Sequence, residues 1–232
     1  MGDFCNAERY IRWMDARRLA ILAAMAEQQA GLFSTAQAGA GGITRPALGR
    51  LAQAGVITPL RRGIYVLRGN TPGLLDLRAV WLAADPARDP GAEPLDGPVL
   101  SHAAAAQVWG AGDLPAWPVD LTVAHRRWSR QQDVRFRVRD LDPADVTVVD
   151  GLPVTGPGRT VADLLEDRFG GHDPAHVGKV AADLLAARRD SFAGLSRHLH
   201  AKGGRLGLPG ADPGPLVLTA LLKAAGYDGA AA

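Results

Sequence analysis

Between Ser34 and Leu67 the chain alternates helix caps, glycine breaks and β-branched runs on a spacing that few folds can accommodate. Ser34 caps a short helix through Ala38, which the glycine-rich stretch from Gly39 to Gly42 does not continue. Thr44 then caps a second helix with Pro46 in its first turn, running through Leu48 and Leu51 to a stop at Gly55. Two short helices separated by a glycine turn make a helix-turn-helix. Val56, Ile57 and Leu60, then Arg61-Arg62-Gly63, then Ile64 to Leu67 read as two strands around a tight basic turn, which is a wing. Ahead of this core, Trp13 to Gln29 keeps helical spacing at Met14, Leu19, Ile21, Leu22 and Met25 and stops at Gly31.

Charge falls unevenly along the 232 residues. Residues 1–70 hold nine arginines against four acids, a surplus of five, whereas the remainder holds 17 basic and 20 acidic residues. A small basic head on a mildly acidic body suits contact with a polyanion. With 47% hydrophobic and 22% charged residues the composition is that of a globular chain, and no apolar run approaches the roughly 20 residues of a bilayer span. Cys5 is alone and cannot close an internal disulfide, and Asp3 and Glu8 precede any apolar stretch, so a cytoplasmic protein without a secretory signal is expected.

Past Asn70 the composition shifts, and the expected division is 1–70 for the winged helix-turn-helix and 71–232 for a second domain. A helix is expected over Leu74 to Ala84, then a loop from Asp85 to Pro98, then a Ser101-capped helix through Trp109. Strands follow at 119–123, 134–138 and 146–149, with Asp150-Gly151 turning into a strand at 152–155. Helices then fill 160–166, 174–189, 192–199 and 215–225. The predicted fold class is therefore α+β: an N-terminal winged helix-turn-helix followed by an α+β domain with a small antiparallel or mixed sheet and C-terminal helices.

A recognition helix enters the major groove by its N-terminal residues, which makes Thr44, Arg45 and Arg50 the expected contacts, Arg45 with a guanine edge. Arg61 and Arg62 at the wing tip stand where phosphates or the minor groove would lie. Ser34 or Thr35, opening the preceding helix, is expected to offer backbone N–H groups to a phosphate. The alternative is a solvated basic face on a domain that docks protein. A second arginine stripe, Arg135, Arg137 and Arg139, falls on one face of a strand by its period of two, with Arg126, Arg127 and Arg130 nearby. It is either a polyanion or partner surface or a sheet face paired to acids such as Asp120, Asp140 or Asp145.

Enzymatic signatures are missing. The residues two before Lys179, Lys202 and Lys223 are Val177, His200 and Leu221, so no acid precedes a lysine as metal-dependent nuclease chemistry requires. There is no nucleophile elbow, and 156–160 lacks the lysine and length of a P-loop. His172 with His176 and His198 with His200 are not joined by further ligands in a zinc pattern, so neither metal nor cofactor is expected. Asp163 is placed to pair with Arg159 one helical turn earlier.

The stretches 33–38 (FSTAQA), 43–55 (ITRPALGRLAQAG) and 62–65 (RGIY) resemble the N-terminal winged helix of AbiEi-type antitoxins of type IV toxin–antitoxin systems. The stretches 99–105 (VLSHAAA), 119–123 (VDLTV) and 151–165 (GLPVTGPGRTVADLL) are similar to the segments that follow in that family. The resemblance implies a non-enzymatic transcriptional repressor that binds double-stranded operator repeats and represses its own operon. It also implies an antitoxin counteracting a nucleotidyltransferase-type toxin without a stable complex. Carried over by position, the DNA contacts are again Thr44, Arg45, Arg50, Arg61 and Arg62, and His102 and Arg159 mark the region of the C-terminal activity. A solitary winged-helix regulator, or an enzyme with a C-terminal active site fused to a DNA-binding head, are the alternatives.

Overall fold

The structure, a computed structural model, describes residues 16–69, 73–126, 131–166, 172–200 and 213–227. The start of the first expected helix at 13–15, Cys5, Arg127 and Arg130 lie outside the described residues. The chain separates into two compact units, Met1–Gly97 and Pro98–Ala232.

In the first unit, helix α1 covers residues 16–27 and is followed by β1 (Leu32–Ser34), α2 (Thr35–Ala40), α3 (Arg45–Gln53), β2 (Ile57–Arg61) and β3 (Ile64–Leu67). This is the winged helix-turn-helix order, and helix α2 runs two residues beyond Ala38 because Gly39 keeps a helical backbone before the turn at Gly41 and Gly42. Strand β1 was not expected: three residues are too few for an alternating pattern to show. It lies against β3, Phe33 opposite Tyr65, so the sheet order is β1-β3-β2. Phe33 stacks on Tyr65 with ring centroids 5.6 Å apart, and Leu22, Ala26, Ile43, Leu48 and Ile57 close the core around it.

The unit continues to Gly97 rather than ending near Asn70, because α4 (Leu75–Ala84) and the loop after it pack back on the small sheet and on α2. The Ser34 hydroxyl donates to the Pro86 carbonyl, and Gln37 Nε2 donates to the Arg88 carbonyl at 2.8 Å. Arg88, 8% exposed, donates to the carbonyls of Ala92 and Glu93, which holds the loop in shape. A loop rich in Asp, Pro and Gly thus becomes part of the unit's wall, a role set by backbone carbonyls that composition does not reveal.

The second unit opens with β4 (Val99–Leu100) and α5 (His102–Trp109), then β5 (Val119–Val123), β6 (Val134–Val138), β7 (Val146–Val149) and β8 (Leu152–Thr155). The sheet is mixed, in the order β6-β5-β4-β8-β7, with parallel pairs β5·β6 and β4·β8 and antiparallel pairs β4·β5 and β7·β8. Asp150 and Gly151 both take positive φ, as a tight two-residue hairpin turn requires. Helices α6 (Pro157–Leu165), α7 (Pro174–Ala186), α8 (Phe192–Arg197) and α9 (Gly214–Ala224) follow and build their own core on Leu164, Val180, Leu184, Leu195, Leu218 and Leu221. The fold is thus α+β, with the winged helix first and the C-terminal helices last.

Helices α7 and α9 approach so closely at Gly178 that a Cβ there would overlap the Leu221 carbonyl oxygen. Gly178→Ala must push the two helices apart, and we expect a loss of about 1–3 kcal/mol of unfolding free energy. Urea unfolding followed by circular dichroism measures it, and an unchanged midpoint would show that the contact yields freely.

Candidate nucleic-acid interface

Helix α3 is amphipathic at the level of single residues. Ala47 and Leu48 are buried and Leu51 and Ala52 half-buried, whereas Arg45, Pro46, Gly49, Arg50 and Gln53 are exposed. Thr44 caps the helix, its hydroxyl accepting from the Ala47 N–H at 3.4 Å, and is itself exposed. Arg45 and Arg50 therefore project from the face of α3 that the core does not use.

The wing is tight. Strands β2 and β3 pair from Ile57↔Leu67 to Arg61↔Ile64, with a register shift between Pro59 and Arg61. Arg62-Gly63 closes the turn, and Gly63 sits at φ +78°, a conformation that a side chain would strain. Arg62 is exposed, while Arg61 is half-buried and makes contacts within the protein. The base of the wing is fixed to the end of α3, with the Val56 N–H donating to the Leu51 carbonyl at 2.9 Å.

The expectation for Ser34 and Thr35 is corrected. Ser34 is fully buried, its N–H donates to Gln37 Oε1 at 2.9 Å, and its hydroxyl accepts from the Gln37 N–H at 3.0 Å. This capping box occupies the N-terminus of α2, a helix of only six residues. The Thr35 N–H donates to the Gly63 carbonyl at 2.8 Å, and its hydroxyl reaches the same oxygen at 3.3 Å. Neither residue has a backbone donor left for a phosphate. Thr35 instead ties the wing turn at Gly63 to the start of α2.

Gln37 lies outside the expected contacts, although its place three residues after Ser34 completes a readable S-x-x-Q capping box. Besides the cap, it exchanges reciprocal amide hydrogen bonds with Gln29 at the end of α1, at 3.0 and 3.3 Å. Gln29 Nε2 also donates to the Leu32 carbonyl. One buried side chain thus sets where α2 stands relative to α1, β1 and the loop at Arg88.

The arginine stripe of β6 resolves in favour of pairing with acids. Arg137, 8% exposed, donates to Asp120 Oδ1 at 2.8 Å; Arg135 lies 3.7 Å from the same oxygen; Arg139 bonds Glu166 at 3.0 Å. The parallel register sets Arg135 beside Asp120 and Arg137 beside Thr122, which puts these groups on one face of the sheet.

Elsewhere in the second unit, His102 is buried with its Nδ1 3.0 Å from the Ser101 hydroxyl, which also accepts from the Thr122 hydroxyl. Arg159 bridges Asp163 at 2.9 Å, as the i, i+4 spacing predicts, and Asp145 at 2.8 Å; Asp145 also meets His198 Nε2. Burial pushes the Asp163 carboxyl up, and the Arg159 guanidinium only partly offsets it. Among the described residues no three His, Cys, Asp or Glu side chains come together as a metal site, and no helix is long and apolar enough to cross a membrane.

The described winged helix is where the chain has a known likeness. Residues 21–68 match the sequence model of a family described as transcriptional regulator, AbiEi antitoxin. The match runs from within α1 to one residue past β3, so it covers α3 and the wing and stops short of α4. No curated protein matches the chain.

Replacing Gln37 by Ala removes the partner of the Ser34 N–H, the Arg88 carbonyl and the Gln29 amide oxygen in a largely buried site. A loss of about 2 kcal/mol of stability is expected from thermal or urea unfolding. A change below a few tenths would mean that water replaces the amide at no cost.

Proposed function

We propose that this protein is a DNA-binding transcriptional regulator and antitoxin of the AbiEi kind, its first unit docking α3 in the major groove of an operator repeat. Arg45 reads a base edge, Arg50 follows on the same helix, and Thr44 orients the N-terminus of the helix toward the groove. Arg62 at the wing tip, with Arg61 beside it, neutralises backbone phosphates. The observation that carries this reading is the coincidence of the AbiEi match at 21–68 with a helix whose exposed face holds Arg45 and Arg50. The basic surplus of residues 1–70 supports it as well, since polyanion contact is where such a surplus is useful.

The regulator represses the operon that encodes it, and its second unit counteracts a nucleotidyltransferase-type toxin without forming a stable complex with it. It works in the cytoplasm, carries no catalytic centre and requires no cofactor.

Gel shifts on a duplex from immediately upstream of its reading frame, beside a random duplex, test the first half. Arg45→Ala should lose roughly 1–3 kcal/mol on the upstream duplex and relax discrimination at one base position. Arg62→Ala should weaken both duplexes alike and lower the slope of log affinity against log salt by about one. No binding by the wild-type protein at low salt would reject the reading. For the second half, growth is followed while a neighbouring nucleotidyltransferase gene is expressed with the full chain or with residues 1–97 alone. Rescue by the full chain only is the expected result, and rescue by neither rejects antitoxicity.

A further inference from the structure

Three glycines inside helices of this chain closely face other groups. A Cβ at Gly178 in α7 would overlap the Leu221 carbonyl, one at Gly158 in α6 would overlap the His198 ring, and one at Gly194 in α8 would overlap the Asp190 carboxylate. Gly49 is different. It is the fifth of the nine residues of α3, no heavy atom beyond its chain neighbours and the surrounding helix backbone lies within 4 Å of a Cβ built on it, and its φ is not in the left-handed region. Alanine would fit there without strain and would strengthen the helix, since glycine is the least favourable interior residue after proline. Gly39 also meets open space, but it stands in the last turn of α2, where the chain leaves the helix.

The place of Gly49 on α3 suggests what it serves. At about 100° per residue, Pro46, Gly49 and Gln53 follow one another along the crest opposite Ala47 and Leu48, while Arg45 and Arg50 stand on its two flanks. The middle of the crest is bare backbone between two guanidinium groups.

We infer that Gly49 sets the depth at which α3 enters a DNA groove: its missing side chain lets the helix backbone rest against the duplex so that Arg45 and Arg50 reach down either side. A side chain that fills the gap between Pro46 and Gln53 holds the middle of the helix away, and a lift of about 1 Å takes a bidentate arginine contact out of its hydrogen-bonding range. Phosphate attraction tolerates that lift, because it acts through longer distances. Gly49 is therefore a specificity-determining residue whose side-chain position faces open space. This role rests on the duplex-binding reading above.

The test uses the full chain with Gly49→Ala and Gly49→Leu, the upstream duplex, a random duplex of equal length, and thermal unfolding. Gly49→Ala should raise Tm by roughly 2–4 °C. The same variant should lose roughly tenfold in affinity for the upstream duplex, Gly49→Leu more, with random-duplex affinity held within about twofold. If both variants bind the upstream duplex as tightly as the wild type while Arg45→Ala does not, the depth role is wrong and the duplex-binding reading stands. A fall in Tm for Gly49→Ala overturns the inference in another way, since the glycine would then serve the fold. Failure of the wild type to bind the upstream duplex at low salt overturns both.

Discussion

The amide of Gln37 is the joint on which the first unit depends. It closes the cap of α2, pairs reciprocally with Gln29 at the end of α1, and receives the returning chain at the Arg88 carbonyl. These groups lie on largely buried residues, so each needs a partner inside the protein or adds a desolvation cost. Because one side chain serves three segments, α2 cannot shift without breaking several bonds together. Helix α2 in turn fixes the wing, through Thr35 and the Gly63 carbonyl, and leads by a short turn into α3. A buried polar cluster thus decides where the basic side chains are carried.

The same economy of polar groups governs the second unit. Its arginines look like a patch for a polyanion when read along the strand, yet Asp120 and Glu166 take up Arg135, Arg137 and Arg139, and Asp145 and Asp163 take up Arg159. Burying a guanidinium is tolerable only beside a carboxylate, and breaking such a pair costs more than the pair contributes. Arg137 and Asp163 are accordingly structural ions. The exposed charge of Arg45, Arg50 and Arg62 is of another kind, held by backbone geometry alone.

Much of this architecture was legible in local chemistry. Thr44 and Pro46 mark the start of α3, Asp150-Gly151 marks the β7–β8 hairpin, and the i, i+4 spacing of Arg159 and Asp163 marks their ion pair, because each depends on residues a few positions apart. The strands β1 and β4, three and two residues long, left no periodic trace; they exist because β3 and β5 supply their hydrogen bonds from far along the chain. The occupied backbone donors of Ser34 and Thr35 are hidden from the sequence for a related reason. The groups that occupy them include the Pro86 and Gly63 carbonyls, and backbone acceptors carry no sequence signature.

By itself the sequence determined most of the elements, β1 and β4 excepted, and which side chains are charged, since caps, glycine breaks and apolar spacing act within one or two helical turns. It also determined that α3 would carry Arg45 and Arg50 apart from its buried stripe of Ala47 and Leu48. Only the tertiary structure decided which arginines remain available and where the first unit ends. Those outcomes turn on contacts such as Gln37 with Arg88 or Arg137 with Asp120, between groups 51 and 17 residues apart, whose meeting follows from packing and not from local preference.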